Sequence, residues 1–307
     1  MLVDEPLPSC EAQPYRAHIV EQQHAMYPPA AHAVWREVLA RNVALIEHCG
    51  ARMHPAYVAG LRALALPMRV PQIEELNARL APTGWETVCV DGYIPTSAYV
   101  GLMSRSVFPV SRFVRLAEHI DFAPEPDLVH DVLGHLPMLF CAEYREYLRR
   151  LARVMSRAES NELDREFFTT VRNLATIRSN PASPARAIAA ANARMTHVVR
   201  RIAENASPLT HLRRLYVWSV EFGLLGTRDD FRVHGAALLS SPAEFRAVCA
   251  GEPGLRPFGI EVVEHENAFS EILNQYFIAR DFAHLHEALS AYEARMTSKD
   301  DASPERR

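Results

Sequence analysis

The most informative stretch of this chain is PEPDLVHDVLGHLPMLF, at residues 124–140. Two histidines five residues apart, His130 and His135, are embedded there among aliphatic side chains. Pro124 and Pro126 favour an extended approach, so we predict a helix that begins near His130. On an ideal α-helix, five residues separate two side chains by roughly 140°, which suits shared ligation less well than a four-residue step. Histidines beside an apolar stripe are usually structural, so the spacing alone does not select a metal site.

A possible third donor stands far along the chain, in the segment YVWSVEFGLL at residues 216–225. Glu221 is the only charged residue of that run, and burying an unpaired carboxylate there would be strongly unfavourable. A salt bridge to one of the many arginines explains Glu221 equally well on composition alone. Two imidazoles and a carboxylate on one face of a metal ion leave positions open for substrate and dioxygen, as in non-haem Fe(II) oxygenases. The pattern therefore allows an iron site at His130, His135 and Glu221 without requiring one.

Length and charge limit the classes of function that the chain can have. Its 307 residues, 49% of them apolar, can bury a sizeable core, and the scattered Pro and Gly residues favour one compact domain. A formal charge of -4 gives no electrostatic basis for binding nucleic acid or an anionic membrane. We therefore expect a small-molecule partner and neither nucleic acid nor membrane.

Cysteine usage and the first residues bear on the cellular location. The five cysteines are odd in number and form no CxxC pair, which fits a reducing compartment. The first ten residues lack the basic and apolar regions of a signal peptide, and no 18-residue apolar run occurs. We therefore expect a cytoplasmic protein.

Hydrophobic periodicity predicts a mainly α fold with a small β component. Apolar residues recur at helical spacing over residues 29–49, 71–80 and 184–204, whereas residues 84–90 alternate and predict a short strand. Ser207 followed by Pro is typical of a helix start, and Gly226 is placed to end the helix that carries Glu221.

Several blocks of the sequence, in the same order, resemble the pterin-dependent aromatic amino acid hydroxylases, most closely the bacterial phenylalanine hydroxylases. The likeness spans about residues 15–290. The blocks are PEPDLVHDVLGH, WSVEFGLLG at 218–226, HGAALLSS at 234–241, TGWETVCVDGYIP and FPVSRFVR. The resemblance implies a single, mainly helical catalytic domain around a central iron. It also implies a monooxygenase that uses Fe(II), tetrahydrobiopterin and dioxygen to convert phenylalanine to tyrosine.

The resemblance assigns roles to individual residues around the iron and the amino acid. It makes His130, His135 and Glu221 the iron ligands, and it makes Arg115 with Asp127 the clamp for the substrate carboxylate. The planar fork of an arginine suits a carboxylate, and an aspartate can hold that fork in place. The other substrate-side residues that it implies are Pro126, Ser240, which supports a ligand histidine, and Val217.

The resemblance also implies a pterin-binding loop in VDGYIPTSAY. Gly92, Tyr93 and Ile94 are expected to present backbone groups, and Tyr99 is expected to stack on the pterin ring. Asp131 takes the place of an acidic residue that approaches the pterin through water. Without the resemblance, Tyr99 is an ordinary packed residue of a helix, and Asp131 complements the charge of a helix N-terminus.

Three residues depart from the family pattern on the substrate side. Val217 stands where familiar members have Trp, Ala123 where many have Thr, and Ala237 where Gly is common. The missing Trp leaves a space beside the expected substrate ring. We expect Trp218, a residue of the segment 150–207, or a bulkier or differently tilted substrate ring to fill it. Tryptophan as substrate and hydroxylation of phenylalanine at the meta position therefore stay open.

The resemblance divides the chain into a flexible N-terminus at residues 1–14, a catalytic domain at 15–296 and a disordered tail at 297–307. Residues 150–207 form a helical insert that covers the mouth of the active site or makes a dimer contact, so we expect a monomer or a dimer. Two other classes of function use the same residues. A zinc hydrolase could bind metal with the same donors, and a non-enzymatic helical binding module would have structural histidines.

Overall fold

The structure, a computed structural model, describes residues 14–121, 123, 126–178, 180, 182–266 and 273–301. Residues 1–13 and 302–307, the larger parts of the predicted flexible N-terminus and of the predicted tail, lie outside this range. None of the described helices has the length and apolar content that crossing a bilayer requires.

Four helices form the first part of the fold, and local sequence explains how they begin. A proline occupies the first turn of the first two, where its missing N–H costs nothing. Gln72 and Glu75 form a capping box at the start of the third, which confirms the helix that the periodicity after Pro71 predicts. The four helices are α1 (Pro29–Cys49), α2 (Pro55–Leu64), α3 (Ile73–Leu80) and α4 (Thr96–Met103).

Two small sheets make up the β component that the sequence predicts. Strands β1 (Glu86–Val90) and β2 (Val107–Ser111) pair in parallel, with Glu86 opposite Val107. The second sheet has the order β4-β3-β6-β5. Its strands are β3 (Leu224–Gly226), β4 (Phe231–Val233), β5 (Gly254–Pro257) and β6 (Gln275–Ala279).

The remaining helices surround the centre of the molecule. Two π-helical segments lie among them, at His130–His135 and Val217–Glu221, and a 3₁₀ segment follows the first at Leu136–Phe140. The α-helices are α5 (Ala142–Arg157), α6 (Glu162–Arg178), α7 (Ala185–Glu204), α8 (Pro208–Tyr216), α9 (Ala236–Leu239), α10 (Pro242–Ala250) and α11 (Phe282–Asp301).

The helix predicted to run from Ser207 to Gly226 starts as expected and ends early. The Ser207 hydroxyl accepts a hydrogen bond from the Thr210 backbone N–H at 2.9 Å, which confirms the N-cap. The α-helix ends at Tyr216, and Gly226 lies in β3 rather than after a helix. The chain leaves the helical path at Gly223, where a Cβ would come within 2.2 Å of the His234 ring nitrogen Nε2. Glycine permits that close approach, which lets β3 enter the sheet beside β4 and β6.

Helices α6 and α7 pack against each other as a hairpin, which we call the α6–α7 hairpin. Asp164 ties its base to α8, because the carboxylate accepts hydrogen bonds from Ser207 Oγ and Thr210 Oγ1, both at 2.7 Å. The hairpin has a small apolar core of its own, with Tyr93 packed against it. The buried members of that core are Leu163, Phe167, Val171, Leu174, Met195, Val198 and Ile202.

The last helix differs from the predicted disordered tail at 297–307. Helix α11 continues to Asp301 rather than ending at residue 296. Buried residues such as Leu285, Leu289 and Tyr292 hold the apolar side of α11 against the core. Because adding residues to an existing helix is easier than starting one, the helix continues beyond these contacts to Asp301.

Candidate metal centre and substrate pocket

The first π-helical segment brings the two histidines of the 124–140 stretch together. An α-helix would place residues five apart on different sides, whereas a π-helix bonds residue i to residue i+5 and therefore aligns them. The Nε2 atoms of His130 and His135 are 3.2 Å apart. The angular separation expected for an ideal α-helix was therefore wrong, because the local helix type differs. Single π-helical turns inside helices are rare and frequent at functional sites.

Glu221, at the end of the second π-helical segment, lies beside the two histidines and is the third donor. Its Oε2 lies 3.2 Å from His130 Nε2 and its Oε1 lies 3.2 Å from His135 Nε2. Among the residues that the structure describes, these histidines are its ion-pair partners, and no arginine pairs with it. The interpretation of Glu221 as half of an arginine salt bridge is therefore wrong. Three donor side chains from two distant segments converge on one buried point.

Asp131 is a second carboxylate near the histidines, and its donor atom lies within 4.8 Å of theirs. Its Oδ2 accepts a hydrogen bond from the Ser111 backbone N–H at 2.7 Å, which directs that oxygen toward the end of β2. Burial raises the pKa of Asp131 to about 7, although the charge of His130 opposes this. Glu221 contacts both imidazoles directly, and therefore it fits a metal ion better than Asp131 does.

The ionisation of the three donors suits a divalent metal. Burial opposes the charged form of Glu221, but the charges of His135 and His130 outweigh it and lower the pKa of this carboxyl. Burial also lowers the pKa of His135, whereas attraction to Glu221 raises the pKa of His130 against the effect of burial. A metal ion at this point would take the place of the imidazole proton, since metal ligands must be deprotonated.

Hydrogen bonds behind the imidazoles fix which nitrogen faces the metal position. Ser240 Oγ donates its proton to the Ala236 carbonyl at 2.8 Å, so it accepts the Nδ1–H of His130 at 3.0 Å. His135 Nδ1 lies 3.2 Å from the Tyr144 hydroxyl. The Nε2 lone pair of His130 is thereby left for a metal, and the contact with Tyr144 holds the His135 ring with its Nε2 toward the same point. The support of a ligand histidine by Ser240 was predicted from the resemblance, whereas Tyr144 was missed.

Gly134 brings the supporting serine within reach of His130. A Cβ at this position would lie 2.5 Å from the Ala236 carbonyl oxygen, so only glycine lets α9 pack against the π-helical segment this closely. Ser240 follows α9 directly. The hydrogen bond between Ser240 and His130 therefore depends on the glycine between the two histidines.

Arg115 and Asp127 form a buried pair, and the resemblance implied that these two residues act together. Arg115 Nη2 lies 2.8 Å from Asp127 Oδ1, and Arg115 Nη1 donates to the Ser240 carbonyl at 3.0 Å. Asp127 also accepts from the backbone N–H groups of Arg115 at 2.7 Å and His130 at 2.9 Å. Burial would raise the pKa of Asp127, but Arg115 and these N–H groups lower it. The pair is thus ionised and joined to the histidine helix.

A pocket opens beside the three donor side chains, and nearly all predicted site residues line it. Asp127 is the exception, because it lies behind Arg115. The predicted lining residues are Gly92, Tyr93, Ile94, Tyr99, Arg115, Pro126, His130, Asp131, His135, Val217, Glu221 and Ser240. Sequence reasoning missed further lining residues, namely Phe167, Phe168 and Val171 of α6, and Arg213 and Tyr216 of α8.

Tyr99 lies in the pocket wall rather than in the core. Its hydroxyl is 2.7 Å from the Tyr216 hydroxyl, and its ring meets those of Phe108 and Tyr216 edge to face. Phe108 in turn packs on His135, with ring centroids 4.7 Å apart. The Tyr99 ring is therefore fixed in direction, and it lines the same pocket as the donor group.

Trp218 does not fill the space beside Val217, because it does not line the pocket. Trp218 is buried away from the pocket, where its Nε1–H donates to the His265 carbonyl at 2.9 Å and its ring packs on Phe277. Phe167 and Phe168 of the α6–α7 hairpin contribute aromatic surface to the same pocket as Val217, while Ala123 and Ala237 line it as small residues. Part of the predicted insert at residues 150–207 thus contributes to the lining of the pocket, and its role as a cover stays a prediction.

Comparison with known proteins identifies the family of this chain. The profile of the family described as biopterin-dependent aromatic amino acid hydroxylase matches residues 15–180 and 189–301. A phenylalanine-4-hydroxylase of Pseudomonas aeruginosa is 27% identical over 264 residues, which cover 85% of this chain and 82% of that protein. One from Vibrio cholerae is 27% identical over 277 residues, covering 88% of this chain and 78% of that protein.

Solved structures agree with the architecture. A Chromobacterium violaceum phenylalanine hydroxylase bound to cobalt has a TM-score of 0.67 at 25% identity, covering 91% of this chain and 84% of that chain. Another structure of that enzyme, with bound iron (III) and the oxidised cofactor 7,8-dihydrobiopterin, has a TM-score of 0.69 at 24% identity, over 94% of this chain and 89% of that chain. The mainly helical single-domain fold is confirmed. The family match, the shared fold and the convergent His-His-Glu group agree, and the chain belongs to the biopterin-dependent aromatic amino acid hydroxylases.

Proposed function

We propose that this enzyme hydroxylates the ring of phenylalanine to give tyrosine, with iron held by His130, His135 and Glu221. The observation that carries the proposal is the convergence of these three side chains, 3.2 Å from one another, at a pocket that Arg115 also lines. Relatives named phenylalanine-4-hydroxylase support the choice of substrate.

The donor set fits ferrous iron. Two imidazoles whose Nε2 atoms face one point and one ionised carboxylate form the donor set that non-haem Fe(II) oxygenases use. Iron bound there supplies the activation of dioxygen, and a tetrahydropterin supplies the electrons. The side chains of this protein have the task of holding metal, pterin and amino acid in fixed relative positions while the apolar walls exclude water.

Arg115 is proposed to hold the carboxylate of the amino acid. A guanidinium has five N–H donors. One on Nε and one on each terminal nitrogen bond to Asp127 and Ser240, so each terminal nitrogen keeps one N–H for a ligand. Ser240 and Asp127 also bond to His130, so the carboxylate anchor and the first metal ligand share the same supports. This sharing fixes the distance between the anchored amino acid and the metal.

Arg115→Lys is expected to weaken amino acid binding because lysine keeps the charge and loses the fork. Removal of one charge-assisted hydrogen bond corresponds to a rise in the apparent KM of about 10- to 100-fold. The measurement is steady-state kinetics with phenylalanine varied at saturating pterin. Arg246→Lys is the control, because Arg246 is exposed and pairs with Asp121 at the surface. An unchanged KM for phenylalanine in Arg115→Lys would remove Arg115 from the substrate site.

Tyr144→Phe is expected to loosen the iron site without unfolding the protein. Losing the partner of a metal-bound histidine typically lowers metal affinity by about 10- to 100-fold. The measurement is competition for Fe(II) between the protein and a chelator. Tyr147→Phe is the matched control, since that buried tyrosine lies one turn later on α5 and bonds to Ser219 Oγ at 2.9 Å. Equal losses of iron affinity in the two variants would show that Tyr144 has no special role in orienting His135.

Metal exchange tests the proposed chemistry against a zinc hydrolase. The protein is stripped with a chelator and reloaded with Fe(II) or Zn(II), and tyrosine formation is followed with phenylalanine and a tetrahydropterin. The proposal predicts that Fe(II) restores tyrosine formation and that Zn(II) does not. Activity with zinc, or activity that needs no pterin, would contradict it.

A further inference from the structure

Glu244 is a buried carboxylate of the pocket to which the proposed chemistry assigns no role. It lies in the first turn of α10 and lines the pocket, as do Ser240 and Ser241 just before that helix. Only 2% of Glu244 is exposed, so bulk water contributes little to the solvation of its carboxylate. Among the residues that the structure describes, no Arg, Lys or His nitrogen lies within ion-pair distance of it. A charged carboxylate removed from water in this way is costly without a cation.

Two hydrogen bonds hold the carboxylate of Glu244 and leave one of its oxygens open. The Tyr276 hydroxyl donates to Oε1 at 2.6 Å, and the Leu273 backbone N–H donates to the same oxygen at 3.4 Å. Burial raises the pKa of Tyr276, so its hydroxyl stays protonated and orients the carboxylate without neutralising it. A carboxylate has about four lone-pair sites, and no donor from the described part of the chain reaches Oε2. This oxygen is available to a donor that enters the pocket.

Glu244 differs in this respect from the other carboxylates with a role at the site. Asp127 is paired with Arg115, and Glu221 is paired with the two histidines. Burial raises the pKa of Glu244, and the two hydrogen bonds to its carboxylate oppose this effect only in part. A cation bound at Oε2 would supply the missing stabilisation of the charged form.

Glu244 is connected to the residue that is proposed to hold the carboxylate of the amino acid. Arg115 Nη1 donates to the Ser240 carbonyl at 3.0 Å, and Ser240 precedes Glu244 by four residues, roughly one helical turn. Arg115, Ser240, Ser241 and Glu244 all line the pocket. An α-amino acid carries its carboxylate and its ammonium group on the same carbon atom. Its two charges therefore match a cation and an anion on connected parts of one pocket wall.

We propose that Glu244 binds the ammonium group of the amino acid substrate while Arg115 binds its carboxylate. An ammonium group has three N–H donors, and hydrogen bonds between charged groups are stronger than those between neutral ones. Attachment of the α-carbon at both charges fixes the direction in which the aromatic ring points toward the metal. The inference rests on the proposed function, because it assumes that an amino acid enters this pocket.

The test is equilibrium binding of three ligands by calorimetry. Protein loaded with Fe(II) is kept free of oxygen, so that no turnover occurs, and is supplied with 7,8-dihydrobiopterin. The ligands are phenylalanine, 3-phenylpropanoate, which lacks the ammonium group, and phenethylamine, which lacks the carboxylate. The wild type is expected to bind phenylalanine about 10- to 100-fold more tightly than 3-phenylpropanoate, the size of one charge-assisted hydrogen bond.

Glu244→Gln removes the charge and keeps an oxygen that accepts the Tyr276 hydroxyl. We expect it to weaken binding of phenylalanine and phenethylamine about 10- to 100-fold and to leave binding of 3-phenylpropanoate unchanged. Arg115→Lys is expected to show the opposite selectivity, with phenethylamine unaffected. Glu252→Gln is the matched control, since Glu252 is an exposed residue just after α10 and the variant changes the net charge equally.

A merely structural role of Glu244 predicts a different pattern. Equal weakening of all three ligands in Glu244→Gln would overturn the proposal, as would unchanged binding of phenethylamine. Should Glu244→Gln fail to fold, Glu244→Asp retains the charge on a shorter side chain, and the same selective weakening is expected of it. Loss of all three ligands in Glu244→Asp would again overturn the proposal.

Two results with the wild type differ in meaning. Equal affinity for phenylalanine and 3-phenylpropanoate would show that no anion receives the ammonium group, which overturns the role of Glu244 and leaves the proposed function intact. Failure to bind phenylalanine at all would instead count against the proposed function itself.

Discussion

Glu221→Gln is expected to reduce iron content far below one per chain and to bring phenylalanine hydroxylation down to background. The carboxylate is the only negative donor among the three proposed ligands, and its oxygens lie 3.2 Å from both histidine nitrogens. Glutamine keeps the size of the side chain but supplies a neutral oxygen and an N–H₂ group that repels a metal ion. The fold should be retained because the volume is conserved. The measurements are iron by atomic absorption, tyrosine formation and thermal unfolding.

Glu244→Gln is the matched control for this experiment. Glu244 is another buried carboxylate of the pocket wall, but it accepts hydrogen bonds from the Tyr276 hydroxyl at 2.6 Å and the Leu273 backbone N–H at 3.4 Å. Its replacement should leave iron content near that of the wild type. Full iron content in Glu221→Gln, or equal iron loss in both variants, would show that Glu221 is not a ligand.

Asp127→Ala is expected to lower the free energy of unfolding by about 3 to 5 kcal/mol, because breaking a buried ion pair leaves an uncompensated charge. Arg115 would lose its counter-charge, and the His130 backbone N–H would lose its acceptor. Binding of the amino acid should disappear as well, since the guanidinium is no longer held in place. Chemical denaturation and substrate titration measure the two effects.

A double variant separates the charge from the other interactions of Asp127. Asp127→Ala combined with Arg115→Met removes both charges, so part of the free energy of unfolding should be regained while substrate binding stays absent. If Asp127→Ala alone costs less than about 1 kcal/mol, the pair is solvated and the buried clamp described above is wrong. Equal stability of the single and double variants would likewise show that the unpaired charge is not the cause.

The candidate metal ligands were the site residues that the sequence alone made easiest to recognise. His130, His135 and Glu221 stand out because polar side chains interrupt apolar runs, and burial of such groups requires partners. The pairing of Arg115 with Asp127 came from the resemblance, and the structure brings the two side chains together. The roles of all these residues remain predictions until the variants are measured.

Other features depend on long-range packing that periodicity does not encode. The π-helical segments were missed because spacing rules assume α-helical geometry, and the end of the helix before Gly226 was missed because β3 pairs with β6, about fifty residues later in the chain. Tyr144 lies on the amphipathic helix α5, where an aromatic residue is indistinguishable from core. Phe168 of α6 and Arg213 of α8 line the pocket through tertiary packing, which sequence spacing does not reveal.

The most direct test of the account is mass spectrometry of the products formed under ¹⁸O-labelled dioxygen. Purified protein loaded with Fe(II) is incubated with a tetrahydropterin and, separately, with phenylalanine, tyrosine and tryptophan. The account predicts that phenylalanine gains one labelled oxygen at the para position, and that omission of iron or pterin abolishes this product. Absence of labelled product from all three amino acids would contradict it, as would label incorporated only into tryptophan or only at the meta position of phenylalanine.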